Sequence, residues 1–215
     1  LSIRQAVDRI LSEQGRIDVL INNAGMGIGG ALELATEEEV NIQMNTNFFG
    51  VVNMCREVLP VMRKNRKGKI INISSIGGVM GIPYQGFYSA SKFAVEGYSE
   101  ALALEVHPFN IKVCVVEPGD FNTGFTDNRN ISEQTRLDAD YGESFRKSLE
   151  IIEKEERNGC HPRKLAAAIC KIVERTNPPF RTKVGPWIQV LFAKSKKWLP
   201  DAVMQCALRI FYAIK

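Results

Sequence analysis

Continuous apolar runs alternate along this chain with stretches in which apolar residues recur every three or four positions. Residues 4–14 place Ala6, Val7, Ile10 and Leu11 at helical spacing, and Gly15 is suited to close that helix. Residues 17–21, IDVLI, read as a buried strand that runs into NNAG at 22–25. Thr36 and Glu39 make a T-x-x-E capping box, which predicts one long helix over 37–64. KIINI at 69–73 is the next buried strand. A glycine-rich loop over 74–86 leads to a helix over 87–106, stopped by His107-Pro108. IKVCVVE at 111–117 is a third apolar strand, closed by Pro118-Gly119. A polar stretch over 120–159 contains a helix over 142–157. A helix over 162–175, a short strand at 181–184 and an apolar tail over 187–214 with interspersed lysines complete the pattern. Apolar strands alternating with amphipathic helices predict an α/β fold, a doubly wound parallel sheet covered on both faces. No internal repeat or low-complexity linker breaks it.

The 215 residues, 45% hydrophobic and 24% charged, fit one soluble domain with a sizeable core. The net charge of +4 permits attraction to anionic cofactors, and no basic stripe with interleaved aromatics points to nucleic acid. The basic run over 63–69 reads as a solvated helix end whose cations suit the macrodipole rather than as an anion patch. The five cysteines, Cys55, Cys114, Cys160, Cys170 and Cys206, are odd in number and scattered, which points to free thiols in a reducing compartment, the cytoplasm. His107 and His161 lie far apart in sequence, so no metal site is expected. No run reaches the length of a membrane span, and the sequence opens at Leu1 without Met or an apolar signal segment.

GMGIGG at 25–30 has the G-x-G-x-x-G spacing of a dinucleotide phosphate loop and follows a strand. The context fails twice. The next helix signal, Thr36, lies past the glycines, so no helix N-terminus faces a phosphate there. The segment some twenty residues on, NTNFFGVVNM at 45–54, has no acid for a ribose. The glycines read as a flexible loop at the carboxyl edge of a strand, where ligands bind in open parallel sheets.

YSASK at 88–92 carries the stronger chemistry. Tyr88 and Lys92 are one helical turn apart and share a face. An ammonium beside a phenol favours the phenolate, lowers its pKa and makes an acid/base group. The same pair alone could be an ordinary surface contact. Ser75 follows the strand KIINI, NNAG follows another strand, PGDFNT (118–123) a third, and Asn47 lies in NFFG on the preceding helix.

In that order and at those spacings, NNAG, NFFG, Ser75 with YSASK, and PGDFNT resemble the short-chain dehydrogenase/reductase family, from the first helix to about Gly185. The resemblance implies a Rossmann-like fold and NAD- or NADP-dependent hydride transfer between a nicotinamide and a carbonyl or secondary alcohol carbon. It implies Tyr88 as acid/base and Ser75 as the group that orients the substrate oxygen. Lys92 would lower the Tyr88 pKa and bond the nicotinamide ribose, and Asn47 would shape a proton-relay water site. Asn22, Ala24 and Gly25 would border the adenosine-side ribose, and Pro118, Gly119 and Thr123 would hold the nicotinamide end. The family's own phosphate loop and its NAD/NADP selector fall before Leu1 on this reading. The sheet is therefore expected to be incomplete at the N-terminus, and the choice between NAD and NADP is not readable.

One partial domain is expected over 1–215, with a substrate lid over 120–160 and a helical tail over 186–215. Loops at 26–29, 76–84 and 120–157 would build a pocket from Ile76, Val79, Met80, Ile82, Phe121 and Phe125. GIPYQGFYSASKFAVEG looks like the branch acting on steroids, retinoids and other lipophilic alcohols, or these residues only pack the loop. Ala90, Ala94, Gly97 and Ala101 would let helices approach closely in a homodimer or homotetramer. Trp187, Phe192, Trp198, Phe211 and Tyr212 beside lysines read as an interfacial anchor or, favoured by Asp201 and the break at Pro200, as a cover over the substrate loop or a subunit contact. The competing functions are a non-catalytic binding or scaffolding relative and an epimerase or dehydratase. Too few residues follow Thr123 for the substrate domain of the last.

Overall fold

The computed structural model describes residues 2–214. Helix α1 (Ile3–Gln14) opens on a capping box between Ser2 and Gln5 and ends at Gly15, whose φ of 72° is the left-handed closure expected. Strand β1 (Val19–Asn22) follows, then a two-residue strand β2 (Ile28–Gly29). The Thr36–Glu39 capping box opens α2 (Glu37–Met44). Here the expected single helix is interrupted. Residues Asn45–Phe49 form a π-helical turn before α3 (Gly50–Asn65) resumes. Strand β3 (Gly68–Ile73), helix α4 (Gly86–Val106) and strand β4 (Ile111–Pro118) come next. The 120–160 region holds a short strand β5 (Asn130–Ile131), a short helix α5 (Glu133–Leu137) and α6 (Gly142–Arg157). Helix α7 (Arg163–Glu174), strand β6 (Arg181–Val184) and tail helices α8 (Trp187–Ser195) and α9 (Asp201–Phe211) finish the chain.

The main sheet is parallel throughout, in the order β1-β3-β4-β6. Side chains of a strand alternate between faces, and both faces here are apolar. Ile70 and Val113 join Val58, Met62, Val95 and Leu102 in a core under α3 and α4. Their neighbours Ile71 and Cys114 join Ile172 and Val184 under α7. Lys69 ends the basic run by donating to the carbonyls of Ile172, Val173 and Arg175 at 2.9, 2.6 and 2.7 Å, so it caps α7. Glu117 is fully buried at the end of β4 and pairs with Lys183 and Arg181 of β6, which fixes the strand end just before the Pro118 turn.

The glycines of GMGIGG serve close packing. Strand β2 pairs with β5, and a Cβ on Gly30 would lie 2.6 Å from Ser132 Cβ. A Cβ on Gly27 would lie 3.0 Å from the Phe125 ring. The loop is thus held against the 125–135 segment.

Candidate active site

The carboxyl ends of β1, β3 and β4 open on one cavity of about 690 Å³. Ser75 sits two residues past β3, and its Oγ accepts the Gly77 N–H at 3.0 Å. That bond occupies a lone pair and leaves the hydroxyl proton free to donate. Helix α4 brings Tyr88 and Lys92 to the same floor, one turn apart. Lys92 is buried, donates to the Ile73 carbonyl at 2.9 Å, and lies 5.8 Å from the centre of the Tyr88 ring.

Electrostatics depart from the spacing argument. Burial pushes the Tyr88 phenol up to about 12, a hydrogen bond from Ser75 pulls against that rise, and the Glu156 carboxylate adds to it. Burial draws Lys92 down to about 8. Desolvation is the largest cause of both shifts, and it moves Tyr88 up where the spacing of Tyr88 and Lys92 had suggested a lowering. At neutral pH Tyr88 is a protonated acid.

Asn47 lies in the π-helical turn, where the added residue directs it inward; such turns recur at functional sites. Its Oδ1 accepts from Met26 N at 2.9 Å, and its Nδ2 donates to Met26 O at 3.0 Å and Ser91 Oγ at 3.1 Å. Gln43, one turn earlier, accepts from Ile28 N and donates to Met26 O, both at 2.9 Å. Together they clamp the loop after β1. Asn47 thus helps to position this loop through its bonds to Met26 and Ser91.

Gly25, Pro118, Gly119 and Thr123 border the cavity. Asn22 and Ala24 do not. Strand alternation turns Asn22 into the interior, where it donates to Asn72 Oδ1 at 2.8 Å, and Asn23 borders the cavity instead. Of the expected apolar wall, Ile76, Met80, Ile82, Phe121 and Phe125 are present and Val79 is not. The Phe125 ring stands edge-on to Tyr88, centroids 5.8 Å apart.

The tail completes the wall with Ile188, Phe192, Leu208, Phe211 and Tyr212. Gln189 fastens it: its carbonyl accepts the Asp120 N–H at 2.9 Å and its amide donates to the Asp120 carboxylate. Burial raises Asp120 to about 6 against the pull of that amide, and Glu156 and Glu155 raise it further. Gln43 and Gln189 carried no motif in the sequence, and Asn23 lay inside NNAG without being singled out. A capped helix preceding NFFG was the available signal for Gln43.

The comparisons identify the family of this fold. The model of the short chain dehydrogenase family matches residues 1–134. The 3-ketodihydrosphingosine reductase of Bacteroides thetaiotaomicron is 83% identical over 215 residues, all of this chain and 80% of that protein. Retinol dehydrogenase 8 of Homo sapiens is 37% identical over 181 residues, covering 80% of this chain and 57% of its own length. The crystal structure of a short-chain dehydrogenase from Streptomyces avermitilis is 33% identical and superposes with a TM-score of 0.76, covering 95% of this chain and 77% of that one. The chain belongs to the short-chain dehydrogenases, oxidoreductases that transfer a hydride between a nicotinamide and a carbonyl or alcohol carbon. Solved relatives at 30% and 32% identity hold NADP, and the cofactor here is NAD or NADP.

The cavity fits the nicotinamide half of such a cofactor. The space beside Gly25 that a Cβ would fill is bounded by Asn47 Oδ1 at 3.4 Å and Lys92 Nζ at 3.5 Å, a polar cradle suited to a ribose. Pro118, Gly119 and Thr123 face the same cavity from the end of β4.

Proposed function

We propose that this protein reduces the ketone of a long-chain lipid of the 3-ketodihydrosphingosine class. The observation that carries the reading is a single cavity whose floor holds Ser75, Tyr88 and Lys92 and whose wall is apolar from Ile76 and Met80 to Phe211. The relative at 83% identity bears that substrate in its name, and the retinol dehydrogenase likeness favours the same lipophilic class.

Each residue has a role in this reading. The Ser75 and Tyr88 hydroxyls hold the substrate oxygen, and Tyr88 gives it a proton as the carbonyl becomes an alcohol. Lys92 stabilises the resulting phenolate, since a nearby cation favours the charged form. Lys92, Gly25 and Asn23 would border the ribose, and Pro118, Gly119 and Thr123 the nicotinamide, which supplies the hydride when bound. Asn47 and Gln43 act as positioning residues through Met26. The region 120–160 with the tail from 186 forms the substrate cover.

Assembly as a homodimer or homotetramer is supported by the face of α4, where Ala90, Phe93, Gly97, Ala101 and Leu104 are exposed. Five free cysteines favour the reducing conditions of the cytoplasm. No helix of the described residues is long and apolar enough to cross a membrane.

The test is turnover by the intact protein with 3-ketodihydrosphingosine and either NADH or NADPH, the dihydro product being read by mass spectrometry. Product with one cofactor supports the reading. Turnover of short ketones alone, with none of the lipid, contradicts it.

A further inference from the structure

The tail helices have a second side. Their inner side lines the cavity, and their outer side exposes Trp187 (73%), Leu191 (59%), Trp198 (87%) and Ile210 (76%) to solvent. Ile188 and Phe211 are both exposed and part of the cavity wall, so the apolar surface runs continuously to the cavity mouth. Soluble proteins rarely expose contiguous apolar surface of this kind without a partner.

Charge narrows the partner. The described tail carries Lys194, Lys196, Lys197 and Arg209 against one carboxylate, Asp201. Lys196 is turned inward onto the Val79 carbonyl and the Phe93 ring. Lys194, Lys197 and Arg209 remain exposed on the same tail as the indoles. Two copies meeting through this patch would bring like charges together. Indoles, branched aliphatics and cations together suit the boundary between headgroups and acyl chains.

We infer that the outer face of α8 and α9 docks on an anionic lipid surface, placing the cavity mouth against the bilayer. Lipid would then pass between bilayer and cavity beside Ile188 and Phe211 without crossing water. That consequence rests on the lipid-ketone reading above, whereas the docking itself does not.

Trp187 and Trp198 are the two tryptophans of these 215 residues, so their indole fluorescence reports on this patch, and Trp187→Phe with Trp198→Phe identifies their share of the signal. The intact protein is titrated with vesicles of phosphatidylglycerol and phosphatidylcholine, and with phosphatidylcholine alone. Emission should shift to the blue and be quenched by brominated acyl chains on the anionic vesicles, with co-sedimentation that weakens as salt rises. Leu191→Ser with Ile210→Ser keeps both indoles and leaves the cavity wall intact, and should weaken binding at least about tenfold. Lys194→Gln with Lys197→Gln should weaken it about tenfold or more on anionic vesicles. Emission and sedimentation unchanged by vesicles would overturn the docking. So would emission already blue in buffer that shifts red on dilution, the mark of a second copy on the patch. Reduction of the lipid ketone in detergent without vesicle binding overturns the docking and leaves the substrate reading standing. Vesicle binding without that reduction does the reverse.

Discussion

Lys92 donates a 2.9 Å hydrogen bond to the main-chain carbonyl of Ile73, tying the helix that carries Tyr88 to the end of the strand that precedes Ser75. One buried cation thereby sets the relation between the two groups that would hold a substrate oxygen. Burial of that cation has a thermodynamic consequence.

The folded state lowers Lys92 from 10.5 to about 8. Between those values the unfolded chain binds a proton that the folded chain does not, so stability contributed by this group rises with pH. The cost of the buried charge is fully present below about pH 8 and is relieved as pH climbs toward 10.5. The native protein should therefore gain stability relative to Lys92→Met over that window, whatever constant offset comes from losing the Ile73 bond. Denaturant midpoints of both proteins across the window check this, and a parallel pair of curves would contradict it.

Tyr88, raised to about 12, stays protonated through neutral pH. A proton donor is then already in place for reduction, whereas oxidation needs the phenolate. Reductive kcat/KM should fall by no more than about twofold from about pH 7 to 8, following the charge of Lys92 rather than loss of the Tyr88 proton. A reductive rate that falls tenfold across that unit would mean a donor with a much lower pKa.

The glycine loop separates packing from chemistry. Ala at Gly30 would put its Cβ 2.6 Å from Ser132 Cβ, and Gly30→Ala should cost about 1–3 kcal/mol of stability. Ala at Gly25 makes ordinary contacts, at 3.4 Å with Asn47 Oδ1 and 3.5 Å with Lys92 Nζ. Gly25→Ala should change stability by less than about 0.5 kcal/mol yet lower kcat/KM at least about tenfold by filling the space beside Lys92. Thermal melts and steady-state kinetics on the two variants distinguish these effects.

Gln189→Ala removes both bonds that fasten the tail to Asp120. The cover over the cavity would loosen, and KM for a long-chain ketone should rise about five- to tenfold with kcat and cofactor KM little changed. An equal loss in kcat for short and long ketones would show a general structural defect instead.

Much of this arrangement was legible in the sequence. KIINI and IKVCVVE are uninterrupted apolar runs, and a parallel strand buried on both faces reads that way. The Thr36 capping box and Gly15 marked helix ends to the residue. The π-helical turn at Asn45–Phe49 was not legible, because one extra residue in a helix of mixed composition does not disturb its apolar spacing visibly. Strand β5 is two residues long and exists through contact with the glycine loop, a non-local pairing. That Asn23 rather than Asn22 lines the cavity follows from the alternation along β1, which turns Asn22 inward onto Asn72. The direction of the Tyr88 shift depends on burial, which the spacing of Tyr88 and Lys92 does not carry.

The most direct test of the central claim is turnover of 3-ketodihydrosphingosine by the native protein and by Tyr88→Phe, each with NADP(H) binding measured separately. The account predicts a loss of at least about a thousandfold in kcat for Tyr88→Phe with cofactor affinity retained. Turnover within about threefold of the native rate would show that the substrate oxygen takes its proton from another group, and the site built on Ser75, Tyr88 and Lys92 would not be the catalytic one.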